Sequence, residues 1–185
     1  MIKNIFLTVL VALTTALPAT ARFNGANREA PAAHIGIRAG VGFSEYGNLN
    51  RPKELITPVG GIHLDIKVAK LPIYIETGAY YMDKGCRYEG VWNSNHEFTD
   101  HNHSILTPAV ASYHFYIGKN MTLQPFTGFY TAYGFDYEKL DFGLREGVAF
   151  TYNNFYTNMG INAGVVEQDG DQEHVSLFLT VGVNF

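Results

Sequence analysis

The residues best suited to chemistry lie between positions 96 and 103, where the sequence is His-Glu-Phe-Thr-Asp-His-Asn-His. Side chains two positions apart on an extended segment point the same way, so His101 and His103 could share a divalent metal ion with His96 or Asp100. The ligand spacing of a known metal site does not occur in this stretch. His96, His101 and His103 are therefore candidate metal ligands only, and the sequence predicts no cofactor.

The hydroxyl and thiol groups near this cluster predict no catalytic residue. Ser104 directly follows His103, and adjacent side chains on a strand face opposite sides, which prevents the histidine from acting as a base for the serine. Cys86 is the only cysteine, which excludes an intramolecular disulfide. The formal net charge of −4 gives no basic field for nucleic acid. These residues and the net charge therefore favour a non-enzymatic protein that does not bind nucleic acid.

Alternation of apolar and polar side chains defines the elements that must position these groups. In the last stretch, residues 175–185, apolar side chains occupy the odd positions and mostly small or polar ones the even positions. This period of two is typical of a strand with two unlike faces. The same period recurs along the chain and predicts eight strands: 34–44, 59–68, 73–82, 104–117, 121–135, 141–152, 155–166 and 175–185.

The lengths of three short turns agree with this alternation. In an antiparallel hairpin, directly opposed residues share a face of the sheet. The predicted opposed pairs are Val68 with Ile73, Ile117 with Met121, and Tyr152 with Phe155. Each pair keeps the apolar rows on one face. The sequence therefore predicts an all-β fold, an eight-stranded antiparallel up-and-down transmembrane β-barrel with short turns at one rim and longer polar loops at the other.

The chain divides into three predicted regions. Residues 1–21 combine a basic start, an apolar run and an Ala-Thr-Ala cleavage site, which is typical of a secretory signal peptide. The apolar run is shorter than the ~20 residues of a membrane-spanning helix. Residues 22–33 show no periodicity and are predicted to form a flexible lead-in, and residues 34–185 are predicted to form the barrel domain.

The second row of the predicted strands is small and polar. An eight-stranded barrel is only wide enough inside to be filled by side chains, so glycines beside charged residues predict a packed polar interior, with ion pairs among Asp65, Lys67 and Glu76. The apolar row would then face lipid. A soluble lipocalin-like barrel is the alternative, and it requires the apolar row inside. The predicted interior network consists of Arg38, His63, Asp65, Lys67, Glu76 and Arg145.

Glu146 conflicts with this arrangement, because it falls in the apolar row of the sixth predicted strand. A carboxylate at that position would face lipid at a cost in free energy. A β-bulge that turns the side chain inward would remove the conflict, and so would a protein partner that covers it. The sequence leaves both explanations open.

Several short motifs are similar to those of small outer-membrane barrels. They are Leu106-Thr107-Pro108, Gln124-Pro125-Phe126-Thr127-Gly128, Asp141-Phe142-Gly143-Leu144 and the terminal Val183-Asn184-Phe185. With the predicted signal peptide, they make the mature chain resemble the PorT-like, OmpX-sized outer-membrane β-barrel family. The resemblance implies an outer-membrane location, contact with outer-membrane lipid, and recognition of Phe185 by the barrel-insertion machinery.

The predicted role is structural: the barrel anchors extracellular loops, above all residues 83–103, for a partner at the cell surface. The PorT-like resemblance implies an accessory role in protein secretion as one alternative. A membrane-embedded lipid-modifying enzyme is the other, because small outer-membrane barrels include lipid A deacylases. The deacylase-like pattern places a histidine two residues before a serine, and His103 and Ser104 do not form it.

Overall fold

The computed structural model describes residues 32–46, 52–89, 97–117, 119–165 and 174–185. The predicted signal peptide and His96 lie outside these ranges, as does nearly all of the predicted lead-in. The division of the chain into those regions therefore stays a prediction. In the described part of the chain, no helix is long and apolar enough to cross a membrane.

The described residues form twelve strands, of which eight build a closed sheet. The strands are β1 (Ala33–Tyr46), β2 (Pro52–Lys53), β3 (Leu55–Lys67), β4 (Ile73–Asp83), β5 (Cys86–Glu89), β6 (Glu97–Asp100), β7 (His103–Tyr113), β8 (Phe115–Ile117), β9 (Met121–Gly134), β10 (Lys139–Tyr152), β11 (Phe155–Gly164) and β12 (His174–Asn184). Strands β1, β3, β4, β7, β9, β10, β11 and β12 pair antiparallel in chain order, and β12 returns to pair with β1. The eight-stranded up-and-down barrel predicted from the sequence is confirmed.

The three predicted turn pairs are also confirmed. Ile117 lies opposite Met121, and Tyr152 lies opposite Phe155. The Val68 N–H donates to the Ile73 carbonyl at 2.8 Å. These turns and the two chain ends of the barrel lie at one end, which we call the short-turn rim. The opposite end, which carries the small sheet β2–β5–β6, is the long-loop rim.

The two faces of the sheet differ in the way that a membrane requires. Along β7, exposed and buried residues alternate without exception. Outward apolar side chains are open, as in Ile62 (56% exposed) and Val181 (61% exposed), whereas the inward Arg38 is only 3% exposed. A soluble barrel would need the reverse, so the lipocalin-like alternative is wrong. Lipid is the solvent that suits the outer row.

The strands extend further at the long-loop rim than the sequence pattern indicates. β3 begins at Leu55 rather than near position 59, because Leu55 and Thr57 continue the buried inward row. The region 83–103 contains a hairpin, β5–β6, in place of an irregular loop, and β2 pairs with β5 along its edge. Near the other rim, the predicted strand 104–117 is interrupted at His114, whose N–H donates to the Pro72 carbonyl at 2.8 Å.

Glu146 faces outward, so the bulge proposed to turn it inward is wrong. The register of β10 is constant against both neighbours, with Glu146 opposite Thr127 on β9 and Ile161 on β11. The carboxylate accepts a hydrogen bond from the Thr127 hydroxyl at 3.3 Å. This bond offsets part of the cost of placing an acidic group among lipid-facing side chains.

Glycine provides the space into which interior aromatic rings fit. A Cβ atom at Gly160 would lie 2.6 Å from Cζ of Phe178 and 2.3 Å from the carbonyl oxygen of Glu146. Gly147 leaves the same kind of space for Phe126, where a Cβ would lie 2.6 Å from Cζ. In the interior, glycines thus alternate with large side chains, whose rings fill the space that the glycines leave.

We expect Gly160→Ala to lower the free energy of unfolding by about 1–3 kcal/mol, because the methyl group would clash with the Glu146 carbonyl oxygen and the Phe178 ring. Urea unfolding of the detergent-folded barrel measures this change. Gly60→Ala is the matched control, because its Cβ would meet no atom closer than 3.4 Å. Equal stability of the two variants would contradict the packing argument.

Candidate functional site in the barrel interior and at the long-loop rim

Arg38 on β1 holds together the middle of the barrel interior. Its Nη1 donates to Glu76 Oε1 at 2.8 Å and to the Tyr80 hydroxyl at 2.9 Å. Its Nη2 lies 4.0 Å from Asp65 Oδ2. Tyr80 also donates to Glu76 Oε1 at 3.2 Å. Charge-assisted hydrogen bonds of this kind are the strong ones in a buried setting.

Glycines on both neighbouring strands allow Arg38 to reach across the barrel. In the register, Arg38 lies between Gly61 on β3 and Gly182 on β12. Beyond these glycines lie Tyr80 on β4 and Tyr156 on β11. The Arg38 guanidinium carbon lies 3.8 Å from the Tyr156 ring centroid, which is a cation–π contact. The row Tyr-Gly-Arg-Gly-Tyr is therefore one packed layer.

Arg145 on β10 forms the opposite wall of the interior. Its Nη1 donates to Asn162 Oδ1 at 2.7 Å, and its guanidinium carbon lies 3.9 Å from the Phe178 ring centroid. Asn162 in turn donates to the Ser176 hydroxyl at 3.1 Å. Two arginines thus lie in one interior, each stacked on an aromatic ring and each bonded to polar side chains.

The two remaining members of the predicted network lie towards the short-turn rim. His63 Nε2 is 3.0 Å from Asn184 Oδ1, which joins β3 to the last residue of β12. Lys67 lies opposite Tyr74 in the register, while Asp65 lies opposite Glu76. Among the described residues, Asp65 and Glu76 form their ion pairs with Arg38, and His63 Nε2 also lies 3.9 Å from Asp65 Oδ2. The predicted ion pairs of these two carboxylates with Lys67 are not seen among those residues.

Lys84, which is not among the residues predicted to fill the interior, closes it at the long-loop rim. Lys84 follows β4 inside the region interpreted as a loop, yet its side chain returns into the barrel and is buried. Its Nζ bonds to the Asp141 carboxylate, which also accepts from the Tyr130 hydroxyl at 3.0 Å. The even parity of position 84 continues the inward row of β4, which is the signal that could have revealed it.

Taken together, these clusters fill the interior from end to end. Near the short-turn rim, the Tyr74 and His114 rings stack with centroids 3.9 Å apart. Arg38 and Arg145 fill the middle, and Lys84 fills the other end. We call these four clusters the interior plug. The structure is that of a filled barrel, consistent with the width of an eight-stranded sheet.

The base of the β5–β6 hairpin is also ordered by buried groups. Cys86, at the start of β5, is buried. Burial, together with the nearby Asp100 carboxylate, raises the pKa of the Cys86 thiol to about 11. The thiol is therefore protonated at neutral pH, in a form that is a poor nucleophile.

The predicted metal candidates are only partly brought together. His101 and His103 are adjacent, with ring centroids 5.7 Å apart. The carboxylate beside them is that of Asp83, which the sequence analysis did not name, whereas Asp100 accepts a hydrogen bond from Tyr137. His96 lies outside the described residues. Asp83 ends β4 directly opposite His103, one position beyond the ends of the predicted strands 73–82 and 104–117.

Comparison with known proteins gives matches to solved structures. Neither a protein-family model nor a curated protein matched the chain. The outer membrane protein OprG from Pseudomonas aeruginosa is 12% identical, with 83% of this chain and 96% of that chain covered and a TM-score of 0.51. The outer membrane enzyme PagL is 16% identical, with 80% and 98% covered and a TM-score of 0.51. The chain has the fold of a small outer-membrane β-barrel.

A third match is the attachment invasion locus protein Ail of Yersinia pestis. It is 12% identical, with 84% of this chain and 100% of that chain covered and a TM-score of 0.46. At such identities the likeness concerns the fold alone. The PorT-like assignment made from the sequence motifs stays a prediction.

We expect Glu76→Ala to destabilise the barrel by about 3–5 kcal/mol, because it leaves the buried Arg38 guanidinium without the carboxylate that accepts its hydrogen bond. Urea unfolding in detergent, followed by the mobility of the folded form on gels, measures the loss. The triple variant Arg38→Met with Glu76→Leu and Asp65→Asn removes the cation and both neighbouring carboxylates, and should recover most of the stability. A loss below ~1 kcal/mol for Glu76→Ala, the value of an exposed pair, would contradict the role given to Arg38.

Proposed function

We propose that this chain is an outer-membrane barrel that holds a small, ordered sheet at the cell surface for contact with a partner. The observation that carries the proposal is the contrast between the filled interior of the barrel and its long-loop rim. The middle is filled by the interior plug, while the long-loop rim carries the extra sheet β2–β5–β6. A barrel of this kind would contact its partner through the long-loop rim.

The filled interior argues against a channel. Arg38, Arg145 and Lys84 are buried inside together with three carboxylates, those of Asp65, Glu76 and Asp141. Opposite charges in contact hold their side chains in place, and aromatic rings pack against the two guanidinium groups. A path for a solute would require these contacts to break.

The rim sheet has features of a contact surface. In the register, Cys86 and Arg87 on β5 lie opposite Asp100 and Thr99 on β6, so backbone hydrogen bonds order the hairpin. Phe98 is about half exposed on this hairpin. A hairpin held in one conformation presents such a side chain to a partner at lower entropic cost than a flexible loop does.

The two alternatives have less support. PagL is an enzyme with the same fold, but His103 and Ser104 do not form a catalytic pair here: the Ser104 hydroxyl donates to the Met82 carbonyl at 2.7 Å inside the barrel, while His103 points outward. Altered lipid A mass spectra after gene deletion would favour the enzyme. An altered set of secreted proteins would favour the accessory role in secretion.

Cysteine labelling of intact cells tests the proposed orientation. In a Cys86→Ala background, we expect Ser94→Cys, between β5 and β6, to react with a membrane-impermeant maleimide on intact cells. Lys70→Cys, in the turn between β3 and β4, is the matched control and should react only after the outer membrane is permeabilised. Labelling of Lys70→Cys on intact cells, with Ser94→Cys protected, would contradict the proposal.

A further inference from the structure

The Asp83 carboxylate is held in a fixed orientation at the long-loop rim. Its Oδ1 accepts hydrogen bonds from the backbone N–H groups of Gly85 at 3.0 Å and Asn102 at 2.9 Å. Its side chain is only 4% exposed. With Oδ1 occupied by two amides, Oδ2 is directed toward the neighbouring histidines. Such support of a ligand by outer hydrogen bonds is typical of preorganised metal sites.

Two imidazole rings lie beside this oxygen. His101 Nδ1 is 2.6 Å and His103 Nδ1 is 3.8 Å from Asp83 Oδ2. The two rings are nearly parallel, with an interplanar angle of 16°. One ligand atom from each of the three residues lies within 4.8 Å of the other two. Both histidine side chains are about half exposed, so they can rotate without repacking the interior.

We propose that Asp83, His101 and His103 form a binding site for a divalent transition-metal ion, with Zn²⁺ as the representative ion. Imidazole nitrogen and carboxylate oxygen are the ligands that Zn²⁺ uses at about 2.0–2.2 Å, which places neighbouring ligand atoms roughly 3.3 Å apart in a tetrahedral site. The His101 Nδ1 to Asp83 Oδ2 distance of 2.6 Å is shorter than that value and the His103 Nδ1 to Asp83 Oδ2 distance of 3.8 Å is longer. Rotation of the two half-exposed rings would bring both distances to it. Three protein ligands leave one position open towards the outside.

The electrostatic surroundings favour a cation at this place. The Asp136 carboxylate accepts a hydrogen bond from the backbone N–H of His103 at 2.6 Å. The Asp100 carboxylate bonds to Tyr137, which belongs to the same turn between β9 and β10. Three carboxylates therefore lie close to the His101 and His103 rings on one rim. A divalent ion would offset part of the repulsion among them.

The competing explanation is a purely structural hydrogen-bond cluster. The Tyr81 hydroxyl lies 2.8 Å from His103 Nδ1, the same atom that would coordinate the ion. Metal binding through Nδ1 of His103 would break its hydrogen bond with the Tyr81 hydroxyl. The variant Tyr81→Phe, which lacks this hydroxyl, thus distinguishes a hydrogen-bond cluster from a metal site. It removes a hydrogen bond from the cluster but no ligand from the metal site.

The site would join the hairpin to the barrel wall. His101 follows β6, whereas Asp83 and His103 are the facing ends of β4 and β7. One ion bound by all three would therefore fix the base of the hairpin. This inference needs only the geometry of the rim and does not rest on the proposed surface function.

Zinc titration of the folded mature chain in detergent, against a chromophoric chelator, tests the proposal. We expect one Zn²⁺ per wild-type chain and for Tyr81→Phe. His101→Ala, His103→Ala and Asp83→Asn should each lose at least the ~10-fold in affinity that removal of even an outer-shell partner costs. Asn at position 83 keeps an oxygen for the Gly85 and Asn102 amides, and unheated gel mobility verifies that every variant is folded.

Two results would overturn the proposal. One is the absence of zinc binding by the folded wild-type chain, and the other is an unchanged affinity in the double variant His101→Ala with His103→Ala. A visible absorption spectrum with Co²⁺ in place of Zn²⁺ gives an independent readout of nitrogen and oxygen ligation. Neither result bears on the cysteine labelling, so failure of the metal site and failure of the surface proposal are distinguishable.

Discussion

Backbone N–H and C=O groups within a bilayer have no water to bond with, so a membrane sheet must close on itself. Here closure depends on the pairing of β1 with β12, the first and last strands, whose register runs from Gly36 opposite Asn184 to Tyr46 opposite His174. At the very end of the chain, the Phe185 N–H donates to the Ile35 carbonyl at 2.8 Å. The separation of apolar outside from polar inside follows from this closure, because each strand alternates between the two.

Closure with eight strands also dictates how the interior must be built. The space admits side chains but no bulk solvent, so a buried charge needs a counter-charge and hydrogen bonds. Arg38 has Glu76, Asp65 and Tyr80, and it reaches them because the adjacent positions on both neighbouring strands are glycines. The glycines and the buried charges therefore depend on each other, because positions without a side chain leave space for the long side chain of Arg38.

The sequence predicted the parts of the structure that depend on local pattern. The period-two alternation and the turn lengths determine which residues lie opposite each other in a hairpin. The Tyr152–Phe155 pair was predicted in this way and is confirmed. Contacts across the interior are different, because no register relates Arg38 on β1 to Glu76 on β4. The inward turn of Lys84 and the partnership of Asp83 with His101 depend on where β4 ends, which is the least predictable property of a strand.

Electrophoresis of the outer-membrane fraction in detergent, with and without boiling, tests the central claim most directly. A closed barrel filled by the Arg38 and Arg145 clusters should resist the detergent when unheated, because unfolding must break the β1–β12 pairing and expose buried charges. We therefore predict that the protein is found in this fraction and that its unheated band migrates differently from its boiled band. A periplasmic protein with identical bands before and after boiling would contradict the account.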